Sequence, residues 1–372
     1  MTIPRIVIID DEPESSSAVL AQELNERGEV SAAVFTPGEV TAEILADASL
    51  VLVDYQLDHW PERARQSEIA LMPLNGLALA GVLREYCELS GNRNAIALLS
   101  NQLNILFGGL SPENRRHVLS RVTSLEWVFS KTDSARADQI EILAKGMLEV
   151  ENLVDRDELD AHRALLSHGQ QAFVDDAWEG AIDRCLPPVN ELSQLTHGAA
   201  FARWFLQRVL PYPTFLIDSN HVAARLRISA LSLNEILNQE NELSMALGRI
   251  EYFGVFSGFL GRRWHKSFLE DWLWTVTNNR SFDSAAIDAA VAIASGGLAV
   301  ATEVGTDVVV IVGNNYESTS DFESRDECIA VFPDDWPAYA DRAYVRLADV
   351  KSDPSLSKLV MHDERWRLEE SE

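Results

Sequence analysis

Apolar positions in the first 153 residues switch repeatedly between two spacings. Residues 5–9 (RIVII) form an unbroken run, as in a strand buried on both faces. Residues 15–26 then place Val19, Leu20 and Leu24 on one helical face, with Gly28 to end the helix. The alternation continues with a weak strand over 30–35, a strand over 50–53 (LVLV) and a helix over 77–86 carrying Leu79, Val82 and Leu83. A strand over 95–99 follows, then a helix opened by Ser111-Pro-Glu, a strand over 127–129 and an amphipathic helix over 135–153. Such alternation predicts an α/β fold, with a doubly wound five-stranded parallel sheet covered by helices on both faces.

Beyond residue 153 the pattern loses its regularity. The spacing predicts helices over 158–180, 189–210 and 232–250, punctuated by Pro187-Pro188 and Pro211-Tyr-Pro213. Strands are expected over 298–302, 308–312, 328–332 and 344–347, with the polar stretch 314–327 as a loop. Residues 154–372 therefore read as a second, mixed α+β domain, helical first and strand-rich later.

Composition narrows the class. Hydrophobic residues make up 47% and charged residues 24%, as in globular proteins. No apolar run approaches the roughly 18 residues of a membrane span, and the start lacks the flank and cleavage site of a signal peptide. Cys87, Cys185 and Cys328 are far apart and show no metal spacing, which fits free thiols in a cytoplasmic protein. With 31 basic and 58 acidic residues the net charge is −27, and both parts share the acid excess. Affinity for nucleic acid comes largely from Lys and Arg on phosphates, so broad nucleic-acid binding is not expected.

The strand ends carry the candidate chemistry. The first strand runs into Asp10-Asp11, the third into Asp54, the fourth into Ser100, and the fifth ends just before Lys131. One parallel sheet would bring all five to its carboxyl edge, where ligands bind in open α/β sheets. Three clustered carboxylates call for a cation, and Mg²⁺ is the hard, oxygen-seeking ion that suits them. A carboxylate can also act as the nucleophile that takes up a phosphoryl group.

This ordered set resembles the receiver domain of two-component response regulators, a flavodoxin-like fold, over about residues 4–150. Met72-Pro-Leu-Asn-Gly76 is similar to the Met-Pro-x-Asp-Gly loop of many receivers. The resemblance implies Mg²⁺ at Asp10, Asp11 and Asp54, phosphorylation at Asp54, a switch hydroxyl at Ser100 and a phosphate partner at Lys131. It implies a sensor histidine kinase or phosphotransfer protein as donor, and no enzymatic activity beyond the receiver's own phosphorylation and dephosphorylation. The chain departs from the family in extra residues at 58–71 and around 105–112. It also has Thr132 where Pro usually follows the Lys, and Val128 at the usual aromatic position, with Trp127 beside it. The 58–71 insert follows the Asp54 strand directly and is expected to cover the pocket. The apolar stretch Ile105-Leu-Phe-Gly-Gly-Leu110 is expected to serve in docking.

No family is recognisable in residues 155–372. The segment 221–238 has the small and apolar spacing of a helix-turn-helix, but Arg227 stands where the turn usually has Gly. Its second helix offers Leu231, Asn234, Glu235 and Asn238 and no cation, so a generic helix pair is the preferred reading. The basic stretch around Arg262, Arg263 and Lys266 reads as solvated charge on an aromatic core. The histidines, His221 among them, show no metal spacing and read as ordinary. The expectation is a signalling protein, phosphorylated at Asp54 or acting as a pseudo-receiver, whose second domain acts on a protein partner or a second copy. A transcription regulator and an output enzyme of unrecognised class are the alternatives.

Overall fold

The computed structural model describes residues 3–14, 16–60, 73, 75–92, 94–103, 115–153, 166, 176–183, 185, 198–302, 304, 307–313 and 316–369. The chain forms two compact units. Unit 1 takes in residues 1–173, 187–208 and 253–260; unit 2 takes in 174–186, 209–252 and 261–372.

Unit 1 is built on a five-stranded sheet: β1 (Arg5–Ile9), β2 (Ser31–Phe35), β3 (Leu50–Asp54), β4 (Ala95–Ser100) and β5 (Trp127–Ser130). Their order is β2-β1-β3-β4-β5 and every pairing is parallel, the flavodoxin-like arrangement. Helices Ser16–Glu26, Ala42–Ala46, Gly76–Ser90, Arg116–Val122 and Arg136–Leu153 alternate with the strands. β3 and β4 are buried along their whole length, and β1 is buried from its second residue, which explains their uninterrupted apolar runs. β2 lies at an edge and is only partly buried, hence its weak signal. The start of the helix expected at Ser111 lies outside the described residues.

β5 is the other edge strand, yet all four of its residues are buried. Segments from far along the chain cover it. Trp127 packs edge-on against Phe259 at a centroid distance of 5.0 Å, and Phe129 meets the same ring at 6.3 Å. Gln207 Nε2 donates to the Leu125 and Glu126 carbonyls at 2.7 and 3.2 Å. Glu126, wholly buried, pairs with Arg84 and lies 3.3 Å from Arg203. Gly146 leaves no room for a side chain, since an added Cβ would stand 2.3 Å from the Phe256 ring.

Unit 2 holds a mixed sheet, β10-β11-β8-β9, made of β8 (Val308–Val312), β9 (Ser318–Ser324), β10 (Cys328–Val331) and β11 (Ala343–Arg346). β11 runs parallel to β8 and the other pairs are antiparallel. A short pair, β6 (Leu216–Ile217) with β7 (Trp264–His265), lies among helices. One core gathers Val222, Leu226, Leu233 and Leu247 around Trp264; another gathers Tyr212, Ile329, Val345 and Trp336 against the sheet.

Several expectations change here. The stretch read as a loop contains β9, whose polar residues are tolerated because it is an edge strand, half exposed. Residues 298–302 form no strand; apart from an isolated bridge between Ala301 and Ile228, they run past the turn after Leu226, with Thr302 N donating to Arg227 O at 2.9 Å. The helix expected over 232–250 is two helices, Ala230–Leu237 and Glu242–Ile250, because Asn241 and Ser244 form a reciprocal capping box. Of the helices expected over 158–180 and 189–210, the described parts are Asp176–Asp183 and Gly198–Trp204, the latter running into a π-helical turn, Phe205–Val209. The basic stretch is no open patch, since Arg262 pairs with Glu251, Arg263 donates to the Leu210 carbonyl and Lys266 pairs with Asp341.

Candidate functional site

The sheet order places a crossing point between β1 and β3, because the chain leaves β1 toward β2 and returns on the other side. Ligand crevices form at such points, beyond the carboxyl ends of the strands. Asp10 and Asp11 follow β1 and Asp54 ends β3, at 1%, 8% and 6% exposure. Their carboxylate oxygens lie within 4.8 Å of one another. Lys131, reached directly after β5, sets Nζ 2.9 Å from Asp54 Oδ2 and 3.8 Å from Asp10 Oδ2. Four of the five residues singled out from the sequence thus share one pocket. Ser100 ends β4 in register with Ser130, is buried, and accepts a hydrogen bond from the Gln102 amide at 2.9 Å.

The carboxylates are held by several donors. Asp10 accepts from the Glu12 amide at 2.8 Å and from the buried Ser17 hydroxyl at 2.5 Å. Asp11 accepts from the His59 amide. His59 Nδ1 lies 3.1 Å from a Glu12 carboxylate oxygen, so the first residues of the insert reach the pocket. Residues 61–71 and the stretch 105–110 lie outside the described residues. Sequence reasoning missed Ser17, whereas His59 belongs to the insert expected over the pocket. Ser17 left a faint trace, as a polar residue on a helix face that is otherwise buried; a backbone donor leaves none.

Gly76 is the second feature whose importance became visible only in three dimensions. Its amide donates to the Tyr55 carbonyl at 2.8 Å, and a Cβ there would fall 1.8 Å from the Asp54 carbonyl oxygen. The backbone of helix Gly76–Ser90 thus passes directly over the end of β3. Asn75 caps that helix through Ala78 N at 3.0 Å. This is the physical use of the Asn-Gly pair in the loop motif.

Charge in the pocket is only partly compensated. Burial pushes the Asp54 carboxyl up to about 6, against the pull of Lys131, and Asp10 adds to the rise. Asp11 is also raised, chiefly by burial. Among the described residues, the Lys131 ammonium lies within 4 Å of two of the three carboxylates, Asp54 and Asp10. An all-oxygen, buried and under-compensated donor set fits a hard divalent cation.

Neither a protein-family model nor a curated protein matches the chain. Among solved structures, a response-regulator receiver-domain protein of Methanospirillum hungatei JF-1, described as CheY-like, is similar over 41% of this chain and 98% of its own. Identity is 19% and the TM-score 0.26, so the reading below stands on strand order and pocket geometry. Among the described residues, no helix is long and apolar enough to cross a membrane.

Proposed function

We propose that this chain is a signalling protein of response-regulator type, with a receiver domain in residues 1–153 and an output domain in residues 154–372. Asp54 takes up a phosphoryl group, and the output domain passes the change to a protein partner. The observation that carries the reading is the Lys131 ammonium 2.9 Å from Asp54 at the end of β3, with Asp10 and Asp11 in the same pocket.

Asp54 is the nucleophile. A buried carboxyl raised to about 6 is largely ionised near neutral pH, yet more basic than an ordinary aspartate. A carboxylate oxygen attacks phosphorus on a phosphohistidine of a sensor kinase or phosphotransfer protein. The new O–P bond forms as the P–N bond breaks, and the imidazole leaves. Mg²⁺ held by Asp10, Asp11 and Asp54 would supply the positive charge that offsets both the carboxylates and the transferring group. Lys131 turns from Asp54 to the phosphoryl oxygens, and Ser100 offers them its hydroxyl. The seryl hydroxyl of Ser17 and the Glu12 amide keep Asp10 oriented.

Output through protein contacts fits the charge of −27 better than output through DNA. In the helix-turn-helix-like segment, helices Ser219–Leu226 and Ala230–Leu237 flank Arg227 at φ +59°. The exposed face of the second carries Leu231, Asn234, Glu235 and Asn238, with no cation to meet phosphates. The three cysteines are buried and form no disulfide with one another, which suits a reducing cytoplasm.

The test is to incubate the full chain with Mg²⁺ and acetyl phosphate and follow intact mass. One phosphoryl group is expected on the wild type and none on Asp54→Asn. Absence of labelling, or labelling retained by the variant, would sink the assignment.

A further inference from the structure

Unit 2 contains a cleft of about 530 Å³ that the phosphorylation chemistry does not use. Its walls are His221, Ala224 and Arg225 from helix Ser219–Leu226 and the first residues of β8, with Asp341, Arg342 and Tyr344 closing it. This volume lies in the range of small-molecule sites, and the lining sets the valines of β8 beside convergent polar and charged groups.

The polar groups are held firmly. Asp218 caps the helix by accepting from the His221 amide at 2.9 Å, and the same oxygen lies 2.8 Å from His221 Nδ1. The other oxygen accepts from the Ser318 hydroxyl at 2.5 Å. Burial alone would raise the Asp218 carboxyl, but His221, Arg263 and Ser318 hold it well below the ordinary range. The carboxylate 2.8 Å from Nδ1 orients the ring, so Nε2 is the nitrogen left for a ligand. A helix cap needs only the backbone contact; a carboxylate that also meets the ring and is itself held from β9 by Ser318 is the arrangement of a positioned imidazole.

Arg225 lies one helical turn from His221. A guanidinium has five N–H donors; Arg225 gives one to Asp341 at 2.7 Å and has its Nε 3.7 Å from a Glu270 carboxylate oxygen. Asp341 is shared with Lys266. Arg342 pairs with Asp363 at 2.8 Å and lies 3.4 Å from Glu364, a carboxylate that also serves Arg325 and Arg367. Asp341 is thus shared by two cations and Glu364 by three, while Asp363 serves Arg342. Arg225 and Arg342 line the cleft together, beside the valines of β8.

We propose that this cleft binds a small molecule bearing an oxyanion, carboxylate or phosphate, on a compact body. Arg225 and Arg342 receive the oxyanion, His221 Nε2 makes the third polar contact, Asp218 acts as the positioning residue, and Val308 and Val310 of β8 carry the apolar body. The test uses the full chain with ¹⁵N-labelled histidine, the His221 ring signals being assigned by their loss in His221→Gln. Inorganic phosphate and benzoate are titrated separately to about 10 mM, a range in which millimolar sites saturate. A saturable shift of the His221 Nε2 signal is expected with at least one probe. Phosphate alone would mark a phosphate ligand, benzoate alone a carboxylate on an apolar body, and both would mean that the oxyanion suffices. Arg342→Gln, at the opposite wall from the helix cap, should weaken binding about tenfold with an unchanged melting profile, a loss of roughly 1.4 kcal/mol. No shift with either probe, or full affinity in Arg342→Gln and in His221→Gln by calorimetry, overturns the proposal.

Discussion

Asp54→Asn should make the metal-free protein more stable at neutral pH, even though it removes the candidate nucleophile and an ion pair. The Asp54 carboxyl is raised from an ordinary 3.8 to about 6, so the folded chain prefers it protonated. At about 1.4 kcal/mol per unit, keeping it ionised costs on the order of 3 kcal/mol at pH 7. Asparagine imitates the protonated form in size and polarity and avoids that cost; stranding Lys131 takes back a part, leaving an expected gain of about 1–3 kcal/mol. The sign follows from the direction of the shift. A raised acid contributes its full stability below the unfolded value, near 4, and loses it as pH rises through about 6. The difference between the proteins should therefore be near zero at pH 4 and full by pH 7. Hydrogen exchange of the β3 amides, followed by mass spectrometry, reads unit 1 directly and avoids assuming that the whole chain unfolds in one step. Added Mg²⁺ should slow exchange in the wild type and do much less in the variant. Equal protection at pH 7 without metal, or a variant less protected than the wild type, would refute the picture of an under-compensated pocket.

Lys131→Met should drive the Asp54 carboxyl further up and cut acetyl-phosphate labelling by about a hundredfold, with partial recovery as pH is raised; labelling at the wild-type rate would remove Lys131 from the site. Gly76→Ala should cost about 1–3 kcal/mol and abolish labelling, because the Cβ position lies 1.8 Å from the Asp54 carbonyl oxygen and backbone must shift; a normal melt with normal labelling would contradict the close approach. Gly146→Ala should lower the melting temperature by a few degrees through its clash with the Phe256 ring, and Phe256→Leu in the same chain should restore part of the loss; no effect of the single change would show that the ring is loosely held. Deleting residues 61–71 should speed loss of the phosphoryl group from Asp54, since His59 at the base of the insert already donates to Asp11; an unchanged half-life would mean that the insert does not shield the pocket.

The parallel sheet was legible because strands buried on both faces leave unbroken apolar runs, and because the residues at their ends, Asp10, Asp11, Asp54, Ser100 and Lys131, are polar where the runs stop. β9 was illegible for the opposite reason, since a half-exposed edge strand has no need of apolar residues. The capping box that splits 232–250 was written in the sequence, as Asn241 three residues before Ser244, but a continuous helical period masked it. Asp218 and His221 were also readable as a spacing of three at a helix start; what no local pattern could supply was Ser318, one hundred residues away. The cover on β5 belongs to the same class, for Phe259 carries no mark that assigns it to Trp127 and Phe129.

That cover makes unit 1 discontinuous in the chain, which matters during synthesis. The flank of β5 stays bare until residues near 260 have left the ribosome, more than a hundred residues after Lys131 is made. Until then Trp127, Phe129 and the notch at Gly146 face solvent, where a growing chain depends on chaperones to keep such surfaces apart. An expression boundary drawn after helix Arg136–Leu153 would freeze the protein at that stage. The fragment would carry the whole acidic pocket and still be a poor witness to it, because the strand that delivers Lys131 would lack one of its two walls.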